Sequence, residues 1–159
     1  MSTEDLTLMA AIDLAKEAEQ RAAALYASAA QEAHNPLVRR LLDELVQYER
    51  YHYEKLTELE QSLREKGAFI RYEGRELLPV EPTSEVPGME GVQKTSAAKV
   101  IKQAIGFEKQ AKERYAALAE QTADPDGRDM FERLAREEHN HYLALTSAYY
   151  DMANFRALR

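Results

Sequence analysis

The chain repeats itself. Sliding the 159-residue sequence by 89 positions places Ile12 on Ile101, Ala15 on Ala104, Glu19 on Glu108, Ala22 on Ala111 and Tyr26 on Tyr115. Without a gap, the same register puts Pro36 on Pro125, Arg39 on Arg128, Leu45 on Leu134, Glu49 on Glu138, His52 on His141, Tyr53 on Tyr142 and Leu56 on Leu145. Two copies at so long a period are not a solenoid, whose units are shorter and more numerous. They form a duplicated unit that packs against its own copy about a pseudo-two-fold axis, within the length of one domain, 1–159.

Each unit reads as a helical hairpin. Four of the six glycines and three of the five prolines lie between Gly67 and Gly91, and the rest of the chain is rich in strong helix formers. Pro36 and Pro125 follow Asn35 and Asp124, a helix-start signal, because proline lacks an N–H that would be unpaired in the first turn anyway. Gly67 stands where a left-handed helix cap is expected. The expectation is an all-α four-helix bundle with helices at about 4–33, 36–66, 95–122 and 125–154 and a long crossover connection at 67–94. A short extended piece at Phe69-Ile70-Arg71-Tyr72 fits within that connection.

Every helix carries an apolar stripe at alternating three- and four-residue spacing, and every stripe is interrupted at mid-length by a carboxylate. The second helix reads Val38, Leu42, Leu45, Glu49, His52, Leu56, Leu59, and the fourth Phe131, Leu134, Glu138, His141, Leu145. The first reads Ile12, Ala15, Glu19, Ala22, Tyr26, and the third Ile101, Ala104, Glu108, Ala111, Tyr115. Glu19 lies as far before the first turn as Glu49 lies after it, and Glu108 and Glu138 straddle the second turn alike. Face-to-face packing therefore brings four carboxylates and two imidazoles into one layer.

A bare layer of this kind is unfavourable, since burying one unpaired carboxylate costs several kcal/mol and four repel one another. Four carboxylates with two neutral imidazoles carry a charge that two divalent cations cancel. Glu-x-x-His places both side chains on one helical face. Oxygen-rich donors with one nitrogen per metal suit iron or manganese better than a closed structural zinc site. Tyr26 and Tyr115, on the same faces as Glu19 and Glu108, read as hydroxyl donors to a ligating carboxylate across the bundle. His34 reads as a cap at the end of the first helix and His139 as exposed. Tyr48, Tyr51, Tyr149 and Tyr150 are expected to pack against a partner chain.

Composition closes off other chemistry. There is no cysteine, hence no disulfide, thiolate zinc site, iron–sulfur cluster or thiol nucleophile. Twenty-one basic against 28 acidic residues give a net charge of -7, which disfavours nucleic acid and anionic membranes as partners. No apolar run is long enough to cross a bilayer, and the N-terminus lacks signal-peptide character, so a cytoplasmic location is expected.

Glu19 with Tyr26, Glu49-Arg50-Tyr51-His52, Glu108 with Tyr115, and Glu138-His139-Asn140-His141 together resemble the ferritin-like superfamily, and within it the rubrerythrin-type di-iron proteins. The resemblance covers all four helices. It implies a carboxylate-bridged pair of irons held by Glu19, Glu49, His52, Glu108, Glu138 and His141, reaction with hydrogen peroxide or dioxygen, and a homodimer. Ferroxidase chemistry in iron storage is the alternative. Rubrerythrins proper add a cysteine-ligated iron domain, so here a separate electron donor is expected. They also carry a glutamate where this chain has Ala111, leaving a four-Glu, two-His set similar to that of bacterioferritin. Arg50 stands where the haem-ligating Met of bacterioferritin falls, and no haem is expected.

Overall fold

The computed structural model describes residues 2–77 and 92–157, with side chains described through Leu77 and from Ala98 to Asp151. The chain folds into four long helices: α1 (Thr3–Glu32), α2 (Pro36–Lys66), α3 (Val92–Gln121) and α4 (Pro125–Ala157). The architecture is all-α, with no strand among the described residues. No helix among them is long and apolar enough to cross a membrane.

Local sequence sets the helix ends. Ser2 and Asp5 form a reciprocal capping box at the start of α1. Asn35 Oδ1 accepts the N–H groups of Leu37 and Val38 at 2.9 and 3.2 Å, with Pro36 as the first helical residue. Gly67 closes α2 in the left-handed region (φ 64°), its N–H donating to Leu63 O at 3.0 Å. Asp124 Oδ1 accepts from Gly127 N at 3.0 Å to open α4. His34 is exposed. The terminal carbonyls of α1 expected to interact with it are instead met by Arg39, whose Nε donates to Ala30 O at 3.0 Å. A guanidinium one turn into the next helix reaches back across the tight turn more readily than an imidazole inside it.

Helix α1 packs along α2 and α3 along α4, making two hairpins, and α1 meets α3 as α2 meets α4. The core is split in two. One cluster gathers Tyr26, Ala30, Leu41, Leu42, Leu45, Ile101, Ala104 and Leu145; the other gathers Ile12, Ala15, Leu56, Tyr115, Ala119, Met130, Phe131 and Leu134. Every residue of the first set has its partner under the 89-residue shift in the second. A two-fold axis through the middle of the bundle has that effect, exchanging its two ends. What lies between the clusters is the polar layer.

Residues 68–77 run without regular secondary structure, so the extended piece expected at 69–72 does not form as a strand. This strap lies against the bundle instead. Tyr72 is buried in the second cluster, and Phe69 packs at the start of α4. The remainder of the expected connection, 78–91, lies outside the described residues.

A Cβ at Gly127 would fall 2.5 Å from Phe69 Cδ1 and 2.8 Å from Thr122 Cγ2. Gly127→Ala, ordinarily favourable in a helix, is therefore expected to destabilise the protein by about 1–2 kcal/mol through overpacking. Thermal or urea unfolding checks this.

Candidate metal centre

The six mid-stripe residues come together. Glu19, Glu49, Glu108 and Glu138 are each no more than 3% exposed, and His52 and His141 are fully buried. Two overlapping sets of donor atoms form: Glu19, Glu49, His52 and Glu138, and Glu49, Glu108, Glu138 and His141. Within each set the donor atoms lie within 4.8 Å of one another. Glu49 and Glu138 belong to both sets, which makes them the carboxylates placed to bridge.

The geometry keeps the two-fold relation. His52 Nδ1 lies 3.3 Å from Glu19 Oε1 and 2.8 Å from Glu138 Oε1. His141 Nδ1 lies 3.5 Å from Glu108 Oε2 and 3.3 Å from Glu49 Oε1. Tyr26 donates to Glu108 Oε1 at 2.5 Å, and Tyr115 donates to Glu19 Oε1. Both tyrosines thus reach across to a carboxylate of the opposite hairpin, each hydroxyl holding one oxygen of its glutamate and leaving the other for the centre.

A metal pair fits this donor set. Glu19 Oε2, Glu49 Oε1, Glu108 Oε2, Glu138 Oε1, His52 Nδ1 and His141 Nδ1 are buried without a hydrogen-bond partner. Buried polar atoms are nearly always paired, so at least one unpaired atom on each of six adjoining residues needs a common partner. Several of these atoms approach closely without hydrogen-bond alignment, as donors do when they converge on a shared centre. Oxygen and nitrogen donors in this ratio suit iron or manganese.

Protonation follows from the crowding. Burial first, then the neighbouring carboxylates, pushes Glu49 and Glu138 well above the usual carboxylate range. Burial also opposes charge on Glu19 and Glu108. Beside Glu19 this is outweighed by His52 and by hydrogen bonds, and beside Glu108 by His141 and the Tyr26 hydroxyl, which hold Glu19 low and Glu108 at about 2. His52 is raised because Glu19 and Glu138 more than offset the effect of its burial. Burial and the adjoining carboxylates keep the Tyr26 and Tyr115 hydroxyls protonated.

Several residues beside the cluster escape the stripe pattern. Glu137 Oε2 accepts from His52 Nε2–H at 3.2 Å. Tyr72 of the strap donates to both Glu137 oxygens, at 2.7 and 2.8 Å, and the Arg75 backbone N–H donates to Oε1 at 3.1 Å. Gly74 permits this approach, with φ 83° and a Cβ position 2.9 Å from Glu137 Oε1. Arg75 also pairs with Glu44 at 3.1 Å and lies over the Tyr48 ring. Tyr48 is buried between the imidazoles, its ring centroid 5.0 Å from His52 and 4.2 Å from His141. Tyr51 packs on Tyr72 and donates to Gly74 O at 3.3 Å. Tyr48 and Tyr51 thus face the centre and the strap rather than a partner chain, because both lie on the side of α2 that the strap covers. Tyr149 is half-buried against the first cluster and Tyr150 is exposed. His139, expected to be exposed, is half-buried and lies 3.2 Å from Lys112 Nζ.

An all-α bundle whose buried centre is a two-fold array of carboxylates and imidazoles is an architecture suited to holding metal. The rubrerythrin family profile matches residues 1–60 and 80–156, and the chain belongs to that family. No curated protein matches it. A solved structure of a hypothetical protein from Pyrococcus furiosus is similar over 97% of this chain and 95% of its own, with a TM-score of 0.73 and 23% sequence identity. At that identity the likeness shows the fold. Family and buried cluster together point to a di-iron site.

Glu49, Glu138 and His52 bind protons more readily in the folded chain than at their ordinary values of 4.5 and 6.5. Their contribution to the metal-free fold is therefore present at low pH and is lost as pH rises past those values. The metal-free protein is expected to melt at a lower temperature at about pH 8 than at about pH 5.5, and divalent metal to reverse that order, since ligation displaces the same protons. Calorimetry at both pH values, with and without metal, checks the sign.

Proposed function

We propose that this protein is a non-haem di-iron redox enzyme that reduces hydrogen peroxide or dioxygen. The observation that carries the reading is the set of six unpaired donor atoms, one per residue, converging in a layer sealed by apolar clusters on both sides. Glu19, Glu49, His52, Glu108, Glu138 and His141 hold the metals. Bound ferrous ions supply two electrons together, which with two protons reduce one hydrogen peroxide to two waters.

The chain's own groups support that chemistry. Glu49 and Glu138, shared between both donor sets, fix the separation of the two positions. Tyr26 and Tyr115 orient Glu108 and Glu19 and remain hydrogen-bond donors throughout the working pH range. A cavity between α1 and α3, lined by Ala18, Ala22, Phe107, Ala111, Arg114 and the four glutamates, reaches the centre and has room for a molecule of a few atoms. That size favours a small oxidant over a bulky organic substrate. No cysteine lies within these 159 residues, so the electrons come from a donor outside them.

Anaerobically iron-loaded protein is expected to consume hydrogen peroxide or dioxygen in proportion to its iron, and the absence of iron-dependent consumption of either overturns the reading. Uptake of many irons per chain would identify storage instead. Replacing both Glu49 and Glu138 with Leu is expected to abolish consumption. It should also stabilise the metal-free bundle by about 1–4 kcal/mol, because apolar groups of similar volume relieve buried charge. Denaturation of the metal-free proteins measures this directly.

A further inference from the structure

The duplication is broken beside the cluster. Under the 89-residue shift, Glu137 on α4 corresponds to Tyr48 on α2. As a result the two histidines are supported differently. His52 Nε2–H is anchored by Glu137, itself held by the Tyr72 hydroxyl and the Arg75 backbone N–H from the strap. His141 Nε2 is buried and has no hydrogen-bond partner among the described residues, and Tyr48 meets that ring edge-on, with the planes at 81°.

We propose that the two metal positions are inequivalent and that Glu137, acting through His52 as a positioning residue, makes the position at His52 the first to fill with a divalent cation. The inference rests on the two-metal reading above. A carboxylate accepting from Nε2–H fixes the tautomer, so that the lone pair of Nδ1 faces the cluster. It also fixes the ring orientation and makes the imidazole a stronger donor. His52 is prearranged in this way. His141 Nε2 has no such anchor among the described residues, so its ring is oriented when the metal arrives. The strap adds a second difference, because its Tyr72 hydroxyl and Arg75 backbone N–H donate to Glu137, beside His52.

The test is an anaerobic titration of the metal-free full chain with cobalt(II), followed by visible absorption and calorimetry. Wild type is expected to bind two cobalt ions in two steps, the first tighter by about ten- to a hundredfold, the usual effect of such an outer partner. His141→Ala is expected to keep the tight step and His52→Ala to lose it. Glu137→Gln keeps the shape but removes the charge, and is expected to bring the first step down to the second while leaving the second unchanged. Tyr72→Phe, which removes a donor to Glu137, should move the first step in the same direction by less. If Glu137→Gln fails to fold, Tyr72→Phe and the two histidine variants carry the same test. Two equal steps in wild type overturn the inference, as does equal weakening of both steps by Glu137→Gln or Tyr72→Phe. Failure to bind cobalt at all would overturn the two-metal reading itself.

Discussion

Mutual repulsion among four buried carboxylates is the constraint on which the rest of this structure depends. Glu19, Glu49, Glu108 and Glu138 occupy core positions in each stripe, each no more than 3% exposed, so solvent does little to disperse their charge. In the metal-free chain the layer divides its protons: Glu19 and Glu108 stay ionised beside hydrogen-bond donors, while Glu49 and Glu138 are pushed toward the neutral acid. The two residues forced to hold protons are the two shared by both donor sets. Cations held at that place would replace the protons and relieve the repulsion together.

The two apolar clusters give this layer its character. They lower the local dielectric, which strengthens every interaction between charges and donors within it. A small cavity between α1 and α3, where alanines stand close to the glutamates, leads to the layer from the side. Duplication supplies matching halves, and the strap at 68–77 then distinguishes them by reaching Glu137 beside His52. Symmetry built the donor set, and a departure from symmetry adjusts it.

Much of this was legible in the sequence because helical periodicity and an ungapped repeat are both linear signals. The stripes fixed which face of each helix is buried, the cap residues at Asn35, Gly67 and Asp124 fixed the turns, and equal spacing about each turn put the four glutamates in one layer. What stayed hidden depends on contacts across the fold. Glu137 is one residue off its stripe and looks like surface charge until Tyr72 and Arg75 fold over it. Tyr48 and Tyr51 read as outward aromatics because nothing local announces that the strap returns along α2. The one available signal was the mismatch of Tyr48 with Glu137, next to the matched Glu49 and Glu138, and it is one of several mismatches in that stretch of the repeat.

The most direct test of the central claim is anomalous diffraction at the iron edge from crystals of the ferrous-loaded protein. The account predicts two anomalous peaks in the buried layer, one beside His52 and one beside His141, with Glu49 and Glu138 between them. Iron confined to surface carboxylates, or none within the bundle, would contradict it.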